Sequence, residues 1–148
     1  MLNFEIVIAN KLPEEWQNFV CQSNEKSFGW SPVMTLADFE LDYANYLICD
    51  KDREPIAYIA FHDLVGEYEI IQVYVKEIYR QQGLGLAMLR RLQRQFNPLF
   101  LEVRAQNEPA IKLYNACQFE MIGRRKDYYR LPTDDAIIMR WDREEVEE

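Results

Sequence analysis

A short apolar run at Ile70–Val75 leads through Arg80-Gln81-Gln82-Gly83-Leu84-Gly85 into a basic amphipathic stretch at Leu84–Phe96. A strand that passes through a glycine loop into a helix calls for a layered fold, in which the helix lays its apolar stripe over a sheet. The loop also carries chemistry. Two glycines at a helix start leave backbone N–H groups uncovered, and the helix dipole adds partial positive charge there. Such a site takes phosphate oxygens. Arg80, then Arg90, Arg91 and Arg94, point to a polyanionic ligand on an otherwise acidic chain.

The remaining segments fit around this unit. Phe4–Ala9 reads as a first strand, and a helix opens at Pro13 with Trp16, Phe19 and Val20 on one face. Asn24–Pro32 reads as a loop, and Thr35 as the cap of a second helix carrying Leu36, Phe39 and Tyr43. Tyr46–Cys49 and Pro55–His62 form a hairpin about a Lys51–Glu54 turn, and Gly66 turns the chain into Tyr68–Val75. Asn97-Pro98 ends the basic helix before a strand at Leu99–Arg104. A helix at Glu108–Cys117, with Pro109 in its first turn, precedes strands at Glu120–Arg125 and Ala136–Trp141. The order predicts a mixed sheet covered by helices, an α/β (α+β) fold. One domain spans 1–141, and the acidic tail 142–148 is expected to fray.

Composition narrows the function. At 148 residues the chain can bury roughly 70% of its unfolded surface. Its net charge of −8 argues against general nucleic-acid binding but suits a basic peptide partner. Cys21, Cys49 and Cys117 are odd in number, far apart and without C-x-x-C spacing, which fits neither a disulfide framework nor a zinc site. A reducing cytoplasmic location is therefore expected. The single His62 leaves no second histidine for a metal, and its place in a strand pattern marks it as a packed or edge residue. No apolar run approaches the ~20 residues that span a bilayer.

Three families of phosphate loop compete for Arg80–Gly85. A Walker A loop is excluded because no Gly-Lys-Ser/Thr follows. A dinucleotide fingerprint fits the Gly83/Gly85 spacing and Glu102 downstream, but Met88 stands at the third glycine and the glycines trail the strand by several residues. The third pattern, Arg-x-x-Gly-x-Gly followed by Leu101-Glu102-Val103-Arg104-Ala105 and Asn107, resembles the GCN5-related N-acetyltransferases (GNAT). Ala110, Ile111, Leu113 and Tyr114, then Arg124, Arg125, Tyr128 and Tyr129, then Asp135–Met139, are similar to the RimI branch, whose members acetylate the N-terminal amine of a ribosomal protein. The loop Phe28-Gly29-Trp30-Ser31 matches that branch's Phe-Pro-Trp-Ser except at Gly29, and Gln118 stands where a glycine is usual.

The resemblance implies the GNAT fold, acetyl-CoA as cosubstrate and no metal. It implies that Arg80, Gln81, Gln82, Gly83, Leu84, Gly85 and Leu86 form a cofactor-binding loop in which the amides of Gln82–Gly85 hold the pyrophosphate, that Val73, Tyr74 and Val75 pair with pantetheine, and that Asn107 contacts the cofactor. Acetyl transfer to an amine needs a base for the ammonium and an acid for the departing thiolate. Glu102 is the expected base, with a salt bridge to Arg104 as the competing structural role, and Tyr114 the expected acid, with a core tyrosine as the alternative. Phe28, Trp30, Tyr128 and Tyr129 are candidate walls of the amine pocket, and Asp134 and Asp135 candidate contacts to a basic N-terminal segment. The expected activity is direct acetyl transfer in a ternary complex, most simply to a ribosomal protein. A small-molecule amine, or a non-catalytic acyl-CoA-binding module, is the alternative.

Overall fold

The computed structural model describes residues 1–147. Seven strands form one sheet in the order β1-β2-β3-β4-β5-β7-β6. They are β1 Leu2–Ile8, β2 Ala44–Lys51, β3 Glu54–Asp63, β4 Tyr68–Val75, β5 Leu99–Arg104, β6 Glu120–Arg130 and β7 Thr133–Trp141. Helices α1 (Glu14–Phe28) and α2 (Pro32–Phe39) precede β2, α3 (Leu84–Gln95) joins β4 to β5, and α4 (Glu108–Ala116) follows β5. Neighbouring strands are antiparallel except β4 and β5.

Each sheet face has its own core. On one, Leu84, Met88, Leu89 and Leu92 of α3 pack with Ile59, Ile70, Leu101, Val103 and Tyr114. Each such aliphatic side chain stabilises the fold by about 1.5–3 kcal/mol on burial. Arg90, Arg91 and Arg94 lie on the exposed side of the same helix, the arrangement its sequence period predicts. On the opposite face, Trp16 and Val20 of α1 and Phe39 of α2 cover Tyr46 and Tyr58.

That second core is partly polar. Tyr58 donates to Asn24 Oδ1 at 2.6 Å, and Asn24 Nδ2 donates to Thr35 Oγ1 at 3.0 Å. His62 Nε2 lies 2.8 Å from Asp38 Oδ1, so the lone histidine is a packed one. This network corrects two expectations. Asn24–Phe28 is helical and not loop, because its buried asparagine is paired across to β3. Thr35 sits buried inside α2, whose cap is Ser31, accepting from Met34 N–H at 3.3 Å. The helix ends at Phe39, so Tyr43 lies beyond it and Leu36 is half exposed.

The two departures from the family pattern have local structural answers. Gly29 takes φ +70° and closes α1 in the left-handed conformation, with Trp30 N–H on Asn24 O at 3.1 Å. Gln118 takes φ +69°, a conformation glycine adopts freely and glutamine does not. Strand β6 runs on to Arg130, beyond the expected Arg125. Of the acidic tail, Arg143–Glu147 forms a short helix, and Glu148 lies outside the described residues.

Candidate active site

Strands β4 and β5 pair only over Tyr68–Ile70 and Leu99–Leu101, then part. Antiparallel β3 still covers one edge of β4 as far as Val75. The β5-facing edge of Gln72–Val75 is therefore paired with no strand and, apart from Val75 O, which accepts from Arg80 Nε, leaves its backbone groups for a ligand, a ready place for an extended chain to add itself. The gap widens into a cleft of about 600 Å³.

The glycine loop closes one end of that cleft. A single 3₁₀ turn at Glu77–Tyr79 follows β4, and Gly83 starts α3 at φ +80° without a capping side chain. The first helical bond runs from Ala87 N–H to Gly83 O at 3.0 Å, which leaves the N–H groups of Leu84, Gly85 and Leu86 for an anion. A Cβ at Gly85 would lie 3.4 Å from the Leu113 side chain, so the bare glycine lets the start of α3 lie close against α4. Arg80 folds back along the strand end, donating from Nε to Val75 O at 2.7 Å with its guanidinium 5.7 Å from the Tyr74 ring centre. Val73, Tyr74, Val75, Arg80, Gln81, Gly83, Leu84, Gly85, Leu86 and Asn107 all line the cleft. Gln82 does not; its amide donates to Ile78 O at 3.1 Å. Asn107 also caps α4, accepting from Ala110 N–H at 3.2 Å.

Tyr114 lines the cleft, whereas Glu102 lies outside its lining, on the other face of the sheet where β4 and β5 part. Tyr114 belongs to the core beneath α3 and α4, 8% exposed, and lines the cleft. Burial pushes its hydroxyl up to about 12, with Cys117 and Tyr129 adding to the effect, so it holds its proton at neutral pH. Glu102 alternates with core residues Leu101 and Val103 and so faces the other way. It is the first β5 residue beyond the last pair with β4. The expected partner of Glu102, Arg104, is engaged elsewhere: its Nη1 donates to Pro132 O at 2.9 Å and its guanidinium lies 4.3 Å from the Tyr129 ring centre. Arg125 approaches Glu102 instead, Nε to Oε1 at 3.5 Å, and is more than half exposed.

The candidate acceptor residues divide. Phe28 lines the cleft, with its ring edge-on to Tyr74. Tyr129 is half-buried, and burial followed by Glu102 pushes its hydroxyl up, which sets it beside the candidate base. Tyr128 is exposed and packs edge-on against Tyr129 at 5.1 Å. Trp30 is half-buried outside the cleft lining. Asp134 is buried and accepts from Gln106 N–H at 3.0 Å and Asp135 N–H at 2.8 Å. Asp135 accepts from Arg124 at 2.6 Å and Asp127 N–H at 2.8 Å, bonds that hold its carboxyl below the usual range. Both aspartates thus build the β6–β7 end of the sheet.

Two polar residues of β4 did not emerge from the sequence. A bulge sets Phe61 opposite Ile70 and Ala60 opposite Gln72, so Ile71 is the extra residue. It puts Glu69 and Gln72 on one face, that of α1 and Glu102, although a regular strand would oppose residues three apart. Gln72 is 6% exposed and its Oε1 has no hydrogen-bond partner. Leaving such an acceptor unpaired costs about 1–3 kcal/mol. The signal was present in the odd spacing of two polar residues within an apolar strand.

The model of the acetyltransferase (GNAT) family matches residues 12–119. The ribosomal protein bS18-alanine N-acetyltransferase of Salmonella typhimurium is 30% identical over 148 residues, covering 94% of this chain and 96% of its own. The crystal structure of the ribosomal-protein-S18-alanine N-acetyltransferase from Escherichia coli superposes with a TM-score of 0.80 at 24% identity, covering 96% of this chain and 94% of that one. Arabidopsis thaliana NAA60 in complex with acetyl-CoA superposes at 0.78 with 16% identity, covering 97% and 99%.

Proposed function

The chain belongs to the acetyltransferase (GNAT) family and is an acetyl-CoA-dependent N-acetyltransferase; from that premise we infer that it acetylates the N-terminal α-amine of a ribosomal protein. The observation that carries the reading is the parted β4/β5 edge, with Glu102 reaching it from one face and Tyr114 from the other.

The residues present fit acetyl-CoA. The free N–H groups of Leu84, Gly85 and Leu86 would hold the pyrophosphate, and the open β4 edge at Val73–Val75 would pair with the pantetheine amides. Bound there, the thioester supplies the activated acetyl group. Glu102 takes a proton from the acceptor ammonium and frees the nitrogen lone pair. Tyr114, protonated at neutral pH, gives its proton to the departing sulfur. Overall an ammonium and a thioester become an amide, a thiol and one proton released to water. Opposed placement keeps the two groups from exchanging their protons with each other. Tyr128 and Tyr129 wall the acceptor's entry from β6, and the chain's net charge of −8 draws a basic N-terminal segment towards it.

A turnover assay with acetyl-CoA and short peptides of varied first residue tests this. Release of CoA with peptides copying the start of ribosomal protein bS18, and none with polyamines or aminoglycosides, is expected. The reverse pattern assigns a small-molecule acceptor.

A further inference from the structure

Strand β6 ends the sheet, with a neighbour on one side only, and its hairpin with β7 carries Tyr129. Register sets Tyr129 on the face of the candidate base. Glu102 and Arg104 stand level with Ile138 and Ala136 of β7, and Arg125 and Tyr129 of β6 stand level with Ala136 and Asp134. The strand is mostly exposed and the turn ends in Leu131 at 92% exposure, so the hairpin has little core of its own to fix it.

Two side chains fix it instead. Arg104 reaches from the end of β5 to the hairpin turn, where Nη1 donates to Pro132 O at 2.9 Å, and lays its guanidinium 4.3 Å from the Tyr129 ring centre. A planar guanidinium can stack on a ring and donate in its plane at once, which a lysine ammonium cannot. Asp135 acts from the opposite face. Between Arg125 and Tyr129 strand β6 advances four residues, while β7 advances two from Ala136 to Asp134. The excess is taken up in a bulge with Asp127 at φ +51°. Asp135 holds that bulge with both oxygens, one accepting from Asp127 N–H at 2.8 Å and the other from Arg124 Nε at 2.6 Å.

Resting on the acetyltransferase reading, we propose that Arg104 and Asp135 are positioning residues, which preset the β6–β7 hairpin so that Tyr129 stands beside the acceptor amine as it approaches Glu102. Tyr129 lies within electrostatic reach of both reacting groups. Its hydroxyl is pushed up by burial and then by Glu102, and Tyr129 adds, after burial and Cys117, to the rise at Tyr114. The bonds from Asp127 and Arg124 keep the Asp135 carboxyl below its usual range, so this hold stays charged at neutral pH. A wall already in place costs the acceptor nothing to order, whereas a slack one must be ordered at each binding event. Loss of either hold therefore weakens acceptor binding and leaves transfer from the seated acceptor close to unchanged.

The test measures turnover with acetyl-CoA and a short alanine-initiated peptide, separating KM for each substrate from kcat. Arg104→Lys keeps the charge but loses the stacked plane, and Asp135→Ala loses both bonds. Each should raise KM for the peptide about tenfold, the worth of one charge-assisted hydrogen bond, with kcat within about twofold and KM for acetyl-CoA unchanged. Asp135→Asn keeps an acceptor for Asp127 N–H and should stay closer to the parent than Asp135→Ala. Because Arg104 acts through Tyr129, Arg104→Lys should add nothing to the KM of Tyr129→Leu. Variants that lower the melting temperature alone, or Arg104 and Tyr129 effects that add in full, overturn the proposal. Should Asp135→Ala fail to fold, Arg104→Lys and the double variant still decide. A parent that acetylates small amines and no peptide sinks the ribosomal-protein reading, and KM for that amine then decides the two holds by the same comparison.

Discussion

Tyr114 is held neutral by its surroundings, and that has two measurable consequences. Its hydroxyl titrates at about 12 in the folded chain against an ordinary value near 10. A group whose proton is bound more tightly when folded stabilises the fold fully below pH 10, and the contribution is lost as pH rises through 12. Tyr114→Phe should therefore flatten the fall in melting temperature between pH 10 and 12. It should also lower kcat on the order of 10²-fold with little change in KM, the mark of a lost proton donor. Unchanged turnover removes Tyr114 from the chemistry. Glu102→Gln should lower turnover and shift the pH–rate curve upward, because the acceptor must then shed its own proton near pH 8. A profile that stays in place assigns Glu102 a structural part.

Elements differ in how clearly their sequences announce them. The bounds Tyr68–Val75 and Leu99–Arg104 follow from mainly apolar runs set off by Gly66 and by Asn97-Pro98. The end of α1 does not. Asn24, Glu25, Lys26 and Ser27 look like loop, and only the Tyr58–Asn24 bond across the core reveals why they are helical. The bulge in β4 was equally hidden, because register is set by the partner strand. Gln118 offers a test at this scale. It holds a left-handed conformation that costs a non-glycine residue about 1–2 kcal/mol. Gln118→Gly should raise the melting temperature by roughly 2–4 °C per kcal/mol recovered, less the added freedom of the unfolded chain. A lower melting temperature would show that glutamine's side chain supports the turn. Asn107→Ala removes the α4 cap and should cost about 1 kcal/mol in a melt while raising KM for acetyl-CoA. A melt loss without a KM change would confine Asn107 to capping.

At the scale of the molecule, charge and topology act together. With a net charge of −8, the protein should capture a basic peptide faster at low ionic strength. KM for a lysine-rich acceptor should rise between 0.01 and about 0.15 M salt, as screening shortens from roughly 30 Å to 8 Å. A neutral peptide of the same first residue should show little change, and equal salt dependence for both would refute long-range steering. Among the described residues no helix is long and apolar enough to cross a membrane. The sequence alone determined the glycine loop and the strands on either side of it, because those depend on local spacing, while Glu102 and Tyr114 were singled out by the family resemblance. The tertiary structure decided that β4 and β5 part after Ile70, that Glu102 and Tyr114 meet the gap from opposite faces, and that a bulge brings Gln72 round to Glu69. Those facts depend on which strands pair and where pairing stops, and no single strand carries that information in its own residues.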